Sequence, residues 1–181
     1  ANGASTAFIH SLGMPIYMAK TGVKYLHHKA KEFDVGVYFE ANGHGTVVFS
    51  ERFVQAVEEY VPTSADGKNR KDIAYARLKA SIKLINPAVG DALSDMLYCL
   101  AALQVLDMDL VRWHDLYTDL PSKQQKVGVP DKSMVACSED ETAVVRPQAL
   151  QDDLVAAMQT VRHGRCFVRP SGTEDVVRIY A

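Results

Sequence analysis

FVRPSGTEDVVRIYA, residues 167–181, sets two β-rich runs around a polar connection. Cys166-Phe167-Val168 and Val176 through Tyr180 carry the branched and aromatic residues that suit a pleated surface. A hairpin that only had to turn needs two residues of Asn-Gly type. Here Arg169 to Asp175 lie between the runs and bring an arginine, two hydroxyls, a glycine and two carboxylates. As a phosphate cradle this composition is coherent. Arg169 offers a planar, permanently charged fork. Ser171 and Thr173 offer hydroxyl donors, and Gly172 lets successive backbone N–H groups converge on an anion. The same residues also describe a polar hairpin with Arg169 and Asp175 in water, and on physical grounds alone the two readings weigh about equally.

Working back from the hairpin, RPQALQDDLVAAMQTVRHG (146–164) reads as a helix with Pro147 near its start and Gly164 after its end. YTDLPSKQQKVGVPDKS (117–133) is polar and extended, and a domain boundary is expected there, between residues 118 and 119. Further upstream, Asp109 is expected to cap a short helix through Tyr117. Asp91 caps a longer one with Leu93, Leu97, Leu100 and Gln104 on one face. Helices are also expected over Lys71–Ile85 and Glu51–Tyr60, with a polar loop, VPTSADGKNR, between them. VGVYF (35–39) and TVVFS (46–50) read as strands. TGVKYLHHKAKEF (21–33) reads as a helix with Thr21 near its start and Val23, Leu26, His27 and Ala30 on its buried side. At the start, Ser5 caps a helix through Leu12, Gly13 stops it, and PIYMAK is strand-like. Strand and helix alternating at this pitch imply an α/β layer architecture.

The connection between the two central strands is the second candidate for chemistry. Glu40-Ala41-Asn42-Gly43-His44-Gly45 places a carboxylate and a carboxamide two residues apart. Such a pair can accept from and donate to neighbouring sugar hydroxyls. The plainer reading, an Asn-Gly turn beside a surface glutamate, is favoured when this loop is taken alone. His27 and His28 are adjacent on a helix and point to different faces, so they cannot chelate together. No second ligand stands at metal spacing from His44, and no GxSxG, P-loop or dinucleotide-binding glycine pattern occurs.

Composition excludes several partner classes. With 181 residues, 48% hydrophobic and 23% charged, the chain can bury a core. A net charge of −2 with dispersed Lys and Arg implies no nucleic-acid partner. The longest apolar run is too short to span a bilayer, so no membrane partner is expected. Cys99, Cys137 and Cys166 follow no metal or disulfide pattern, which suits a reducing, cytoplasmic location. The opening ANGAST and the closing strand-like run both read as cut ends, so a fragment of a longer protein is expected.

Taken together the two loops resemble one family. RPSGTEDVVRIYA resembles the phosphate-binding loop in the last domain of the α-D-phosphohexomutases. KTGVKYLHHKAKEFDVGVYFEANGHGTVVFS resembles the part of their third domain that carries the sugar loop. FEANGHG stands where bacterial members have a Gly-Glu-x-Ser-Gly-His form. With GDALSDML and LYTDLP, it is similar to the branch that acts on N-acetylglucosamine phosphates.

The resemblance implies a partial three-layer α/β/α domain over residues 1–118 and a partial, small α+β C-terminal domain over 119–181. It implies interconversion of a hexosamine 6-phosphate and 1-phosphate by way of a phosphoserine, Mg²⁺ and a sugar bisphosphate intermediate, on the pathway to UDP-N-acetylglucosamine. Carried over by position, Glu40, Asn42, Gly43 and His44 would contact the sugar. Arg169, Ser171, Gly172 and Thr173 would hold the phosphate that is not being transferred. Lys20 and Lys24 are weaker candidates, and Arg178 is read as structural. Val23 stands where bacterial members have a histidine, so no acid–base role transfers there. No Ser-His-Asn-Pro loop and no Asp-Gly-Asp-x-Asp-Arg loop is present, so no catalytic residue and no metal ligand is assigned and the isolated chain is expected to be inactive. Its partners would be the phosphosugar and the missing N-terminal domains. The alternatives are a mutase for glucose or mannose phosphates and a non-catalytic phosphosugar-binding protein.

Overall fold

The computed structural model describes residues 2–40, 42–63 and 69–181. Ala41, in the second loop, and residues 64–68, in the loop expected before the fourth helix, lie outside the described residues. The chain is mixed α/β and divides into two compact units, residues 22–113 and residues 1–21 with 114–181.

In the central unit, α2 (Val23–Ala30) packs against the antiparallel hairpin of β1 (Val35–Phe39) and β2 (Gly45–Phe49). This two-stranded pair is the sheet of that unit among the described residues. Ala30 and Val48 are buried. Each end of the hairpin is tied. At the base, the Ser50 hydroxyl donates to Asp34 Oδ1 (2.7 Å) and Arg52 pairs with the other oxygen, which holds the Asp34 carboxyl below the ordinary carboxylate range. Ser50 also accepts from the Phe53 N–H and so starts α3 (Glu51–Glu58). Asn69 caps α4 (Arg70–Leu84), and Asp91 caps α5 (Ala92–Val105) through the Leu93 and Ser94 amides. A short α6 (Leu110–His114) follows, ending before the expected Tyr117.

The turn between α4 and α5 reaches back to the hairpin. Thr46, 1% exposed, donates to the Asn86 carbonyl at 2.7 Å. A Cβ on Gly90 would stand 2.2 Å from the Gly45 carbonyl oxygen, so only glycine permits this approach. These contacts fix where β2 begins, and therefore where the preceding loop ends.

The second unit gathers both chain ends. Asn2, not Ser5, caps α1 (Gly3–Ser11) by accepting from the Ala4 N–H. The Asn2 side chain also bonds Leu120 twice, and Phe8 stacks on Tyr117 with centroids 5.6 Å apart. PIYMAK forms no strand. Thr21 lies outside α2; its N–H and hydroxyl both donate to Glu141 Oε2, at 3.2 and 2.6 Å. The first 21 residues thus belong with the C-terminal unit, a division different from one cut at 118/119.

The sheet here has the antiparallel order β3-β7-β6, formed by β3 (Gln124–Gly128), β6 (Phe167–Pro170) and β7 (Val176–Tyr180). β4 (Ala136–Cys137) and β5 (Val144–Arg146) pair separately. α7 (Gln148–Gln159) starts at Pro147 but stops at Gln159, short of Gly164. Leu150 and Leu154, one helical turn apart, pack with Val144, Val168, Val177 and Ile179. Alternation along the strands sends Val168, Val177 and Ile179 to this core and sends Phe167, Arg169, Arg178 and Tyr180 to the opposite face.

Candidate functional site

The phosphate-cradle residues sit on the β6–β7 hairpin. The connection expected over Arg169–Asp175 is shorter than that, because Arg169 pairs with Arg178 and Pro170 with Val177 in the ladder. Arg169 is therefore a strand residue, and the loop proper is Ser171–Asp175. The Ser171 N–H donates to the Val176 carbonyl at 2.9 Å and closes the loop at its neck. Ser171 is buried, whereas Gly172, Thr173 and Glu174 are exposed at the tip. A Cβ added to Gly172 would meet nothing within 4 Å, so the backbone there faces open space.

Arg169 is held from one side. Its Nη2 donates to the Tyr180 hydroxyl at 2.9 Å, and its guanidinium lies 5.4 Å from the centre of the same ring. That ring is stacked on Phe167 with centroids 4.6 Å apart. An aromatic pair thus braces the guanidinium and limits its side-chain freedom.

Arg178, read from the sequence as structural, stands next to Arg169 in the ladder. Register places Lys126, Arg178 and Arg169 side by side on three neighbouring strands, on one face of the sheet. Lys132, from the 3₁₀ turn Lys132–Met134, donates to the Gly172 carbonyl at 3.1 Å. Four cations therefore surround a five-residue loop. Asp131, next to Lys132, is bound into the turn by the Ser133 hydroxyl and N–H, which hold its carboxyl below the ordinary range and keep it ionised. Sequence reasoning left Lys126 and Lys132 unassigned, because one lies on a strand with no apolar alternation and the other in a polar stretch. Their only sequence signal was positive charge.

The sugar-loop residues sit on the β1–β2 hairpin of the other unit. The Glu40 N–H donates to the His44 carbonyl at 2.8 Å, and the Gly43 N–H donates to the Glu40 carbonyl at 2.9 Å. Gly43 has φ 89°, a left-handed conformation that glycine adopts without strain. Asn42 Oδ1 accepts from the His44 N–H at 2.9 Å, and its Nδ2 donates to Glu40 Oε2 at 3.3 Å. The fold brings Glu40, Asn42, Gly43 and His44 together in one tight turn, with Asn42, Gly43 and His44 exposed. Lys24 lies on α2 over the Tyr25 ring, 4.9 Å from its centre.

Among the described residues, no three His, Cys, Asp or Glu side chains converge as a metal site, and no helix is long and apolar enough to cross a membrane. The hollow beside α5, lined by residues such as Leu100, Leu103, Asp107 and Arg112, includes none of the loop residues above.

Residues 1–108 match the family model for phosphoacetylglucosamine mutase AMG1, domain III. The chain belongs to the phosphoacetylglucosamine mutase family. Residues 126–181 match the phosphoglucomutase/phosphomannomutase C-terminal domain. Among phosphoacetylglucosamine mutases, those of Oryza sativa and Arabidopsis thaliana are 50% and 48% identical to the chain over its whole length. The chain spans about a third of each, 33%. An N-acetylphosphoglucosamine mutase of Aspergillus fumigatus superposes with a TM-score of 0.92 at 42% identity, over 99% of this chain and 33% of that one. A second structure of the A. fumigatus mutase, in complex with GlcNAc-6P and magnesium, gives a TM-score of 0.91 at 42% identity, covering 99% of this chain and 36% of that one.

Proposed function

We propose that this chain supplies the sugar loop and the phosphate loop of a phosphoacetylglucosamine mutase. Within the longer polypeptide it would serve the interconversion of N-acetylglucosamine 6-phosphate and 1-phosphate, toward UDP-N-acetylglucosamine. The observation that carries the reading is identity of 48–50% along the whole chain with proteins named for that reaction. On this reading residues 1–118 are part of the third domain and 119–181 part of the fourth. In support, the two family models match residues 1–108 and 126–181, on either side of the proposed boundary.

The roles follow from the chemistry of the loops. Arg169, with Arg178 beside it, would take two oxygens of the phosphate that is not being transferred. Ser171, Gly172 and Thr173 would add a hydroxyl or backbone donor each. Glu40, Asn42, Gly43 and His44 would bond the sugar hydroxyls, with the carboxylate accepting and the carboxamide doing both. Holding the distal phosphate fixes the sugar while the other end reacts, and positioning is a large part of phosphoryl-transfer catalysis. A solved relative in complex with glucose 1,6-bisphosphate supports a bisphosphate as the species that must be held at both ends.

The residues described here do not fit a Mg²⁺ site, since no acidic cluster converges among them. The metal and the phosphoserine are proposed to lie on parts of the polypeptide outside this chain. A cytoplasmic location is also proposed, in line with three free cysteines; entry of a tagged full-length protein into the secretory pathway would exclude it.

The test is a coupled assay of N-acetylglucosamine 6-phosphate conversion, with Mg²⁺ present. A polypeptide of the relatives' length is expected to be active, and this chain alone inactive. Turnover by the purified chain alone would overturn the division of labour. Inactivity of the long form on this substrate, with activity on glucose or mannose phosphates, would overturn the substrate.

A further inference from the structure

The row Lys126, Arg178, Arg169 is electrostatically unbalanced. Like charges directly opposite one another in a sheet repel, and here three cations stand in adjacent register positions. One carboxylate answers two of them. Glu174 Oε2, from the loop itself, accepts from Lys126 Nζ at 3.1 Å and from Arg178 Nη2 at 3.4 Å. Arg178 is not fully satisfied by this, because its Nε is buried without a hydrogen-bond partner among the described residues.

Both Glu174 contacts are single and partly exposed, with side-chain exposures of 49% for Glu174, 56% for Lys126 and 34% for Arg178, and the one to Arg178 is long at 3.4 Å. Pairs of this kind are weak and readily exchanged. A phosphate monoester carries more charge and three acceptor oxygens, so it is the better partner for a guanidinium.

From this geometry we propose that Glu174 is an internal anion that competes with phosphate for Arg178, and that Lys126 is a positioning residue that draws Glu174 toward the outer strand. The loop would then grip phosphate less tightly than its cations alone allow, which suits a site that must release one end of a sugar and receive the other. This inference rests on the phosphate-cradle reading given above.

The test is titration of the ¹⁵N-labelled chain with inorganic phosphate, read from the Gly172 and Thr173 amide shifts, with thermal midpoints recorded for each variant. Glu174→Gln is expected to bind phosphate about twofold to fivefold more tightly, since it keeps the shape and removes the competing charge. Lys126→Gln is expected to bind several-fold more weakly, and that loss should shrink when Glu174→Gln is also present. A merely structural Glu174 would move affinity the other way. Equal or weaker binding by Glu174→Gln, with the parent binding and Arg169→Ala failing, would overturn this proposal alone. If the parent and Arg169→Ala bind alike, the cradle itself falls and the inference with it.

Discussion

Replacing Arg169 by alanine tests affinity and stability separately, because the proposed role of its guanidinium is phosphate binding while the contacts it makes in the fold are to Tyr180. For binding, a hydrogen bond to a charged group is worth about 1.5–3 kcal/mol, so phosphate affinity should fall by roughly 10-fold to 150-fold. For stability, two losses are partly offset by one gain. The bond to the Tyr180 hydroxyl (2.9 Å) is lost, at about 0.5–1.5 kcal/mol. The contact with the Tyr180 ring is lost, at about 0.5–1 kcal/mol. Repulsion from the cross-strand Arg178 is relieved, by about 0.2–1 kcal/mol. A net loss of about 1 kcal/mol lowers the thermal midpoint by only about 2–4 °C in a chain of this size. Binding is measured by phosphate titration and stability by thermal unfolding of the same samples. Tyr180→Phe provides the internal control: it removes the hydroxyl that braces the guanidinium and should weaken phosphate binding only a few-fold. Parent-like affinity in Arg169→Ala would refute the cradle. A midpoint drop of more than about 10 °C would show instead that Arg169 belongs to the folding core of the hairpin.

Gly90→Ala should destabilise the central unit by about 1–3 kcal/mol, because its Cβ would meet the Gly45 carbonyl oxygen at 2.2 Å. The Gly45 and Thr46 amide shifts should move with it, and unchanged shifts would disprove the link to the sugar loop. Four carboxyls, Asp34, Asp91, Asp131 and Asp140, are held below the ordinary range, chiefly by hydrogen bonds from Ser50, Ser94, Ser133 and Ser138. Folded values below the unfolded one, about 3.9, give stability that is complete above about pH 5 and is lost as pH falls through the unfolded and then the folded values. Asp91→Ala should therefore lower the urea midpoint at pH 7, with the difference narrowing toward pH 2.5. A gap undiminished at pH 2.5 would argue against a charged cap.

Much of the local structure was legible in the sequence because it is decided locally. VGVYF and VVRIY are strands because alternation and branching suit a pleat whatever lies around them. Asp91 starts α5 because its side chain accepts from amides two and three residues on. The two loops were legible as groups of residues, since each closes on itself within a single hairpin.

What only the tertiary structure decided is long-range pairing. β3 has no apolar alternation and all five of its residues are exposed, so nothing in QQKVG marks a strand; β7, some fifty residues on, makes it one. Asn2 displaces Ser5 as the cap of α1 while its side chain also binds Leu120, and the first 21 residues thereby join the C-terminal unit. Lys126, Arg169 and Arg178 become one cationic row through register alone, because strand pairing sets side chains from three strands on one face of one sheet.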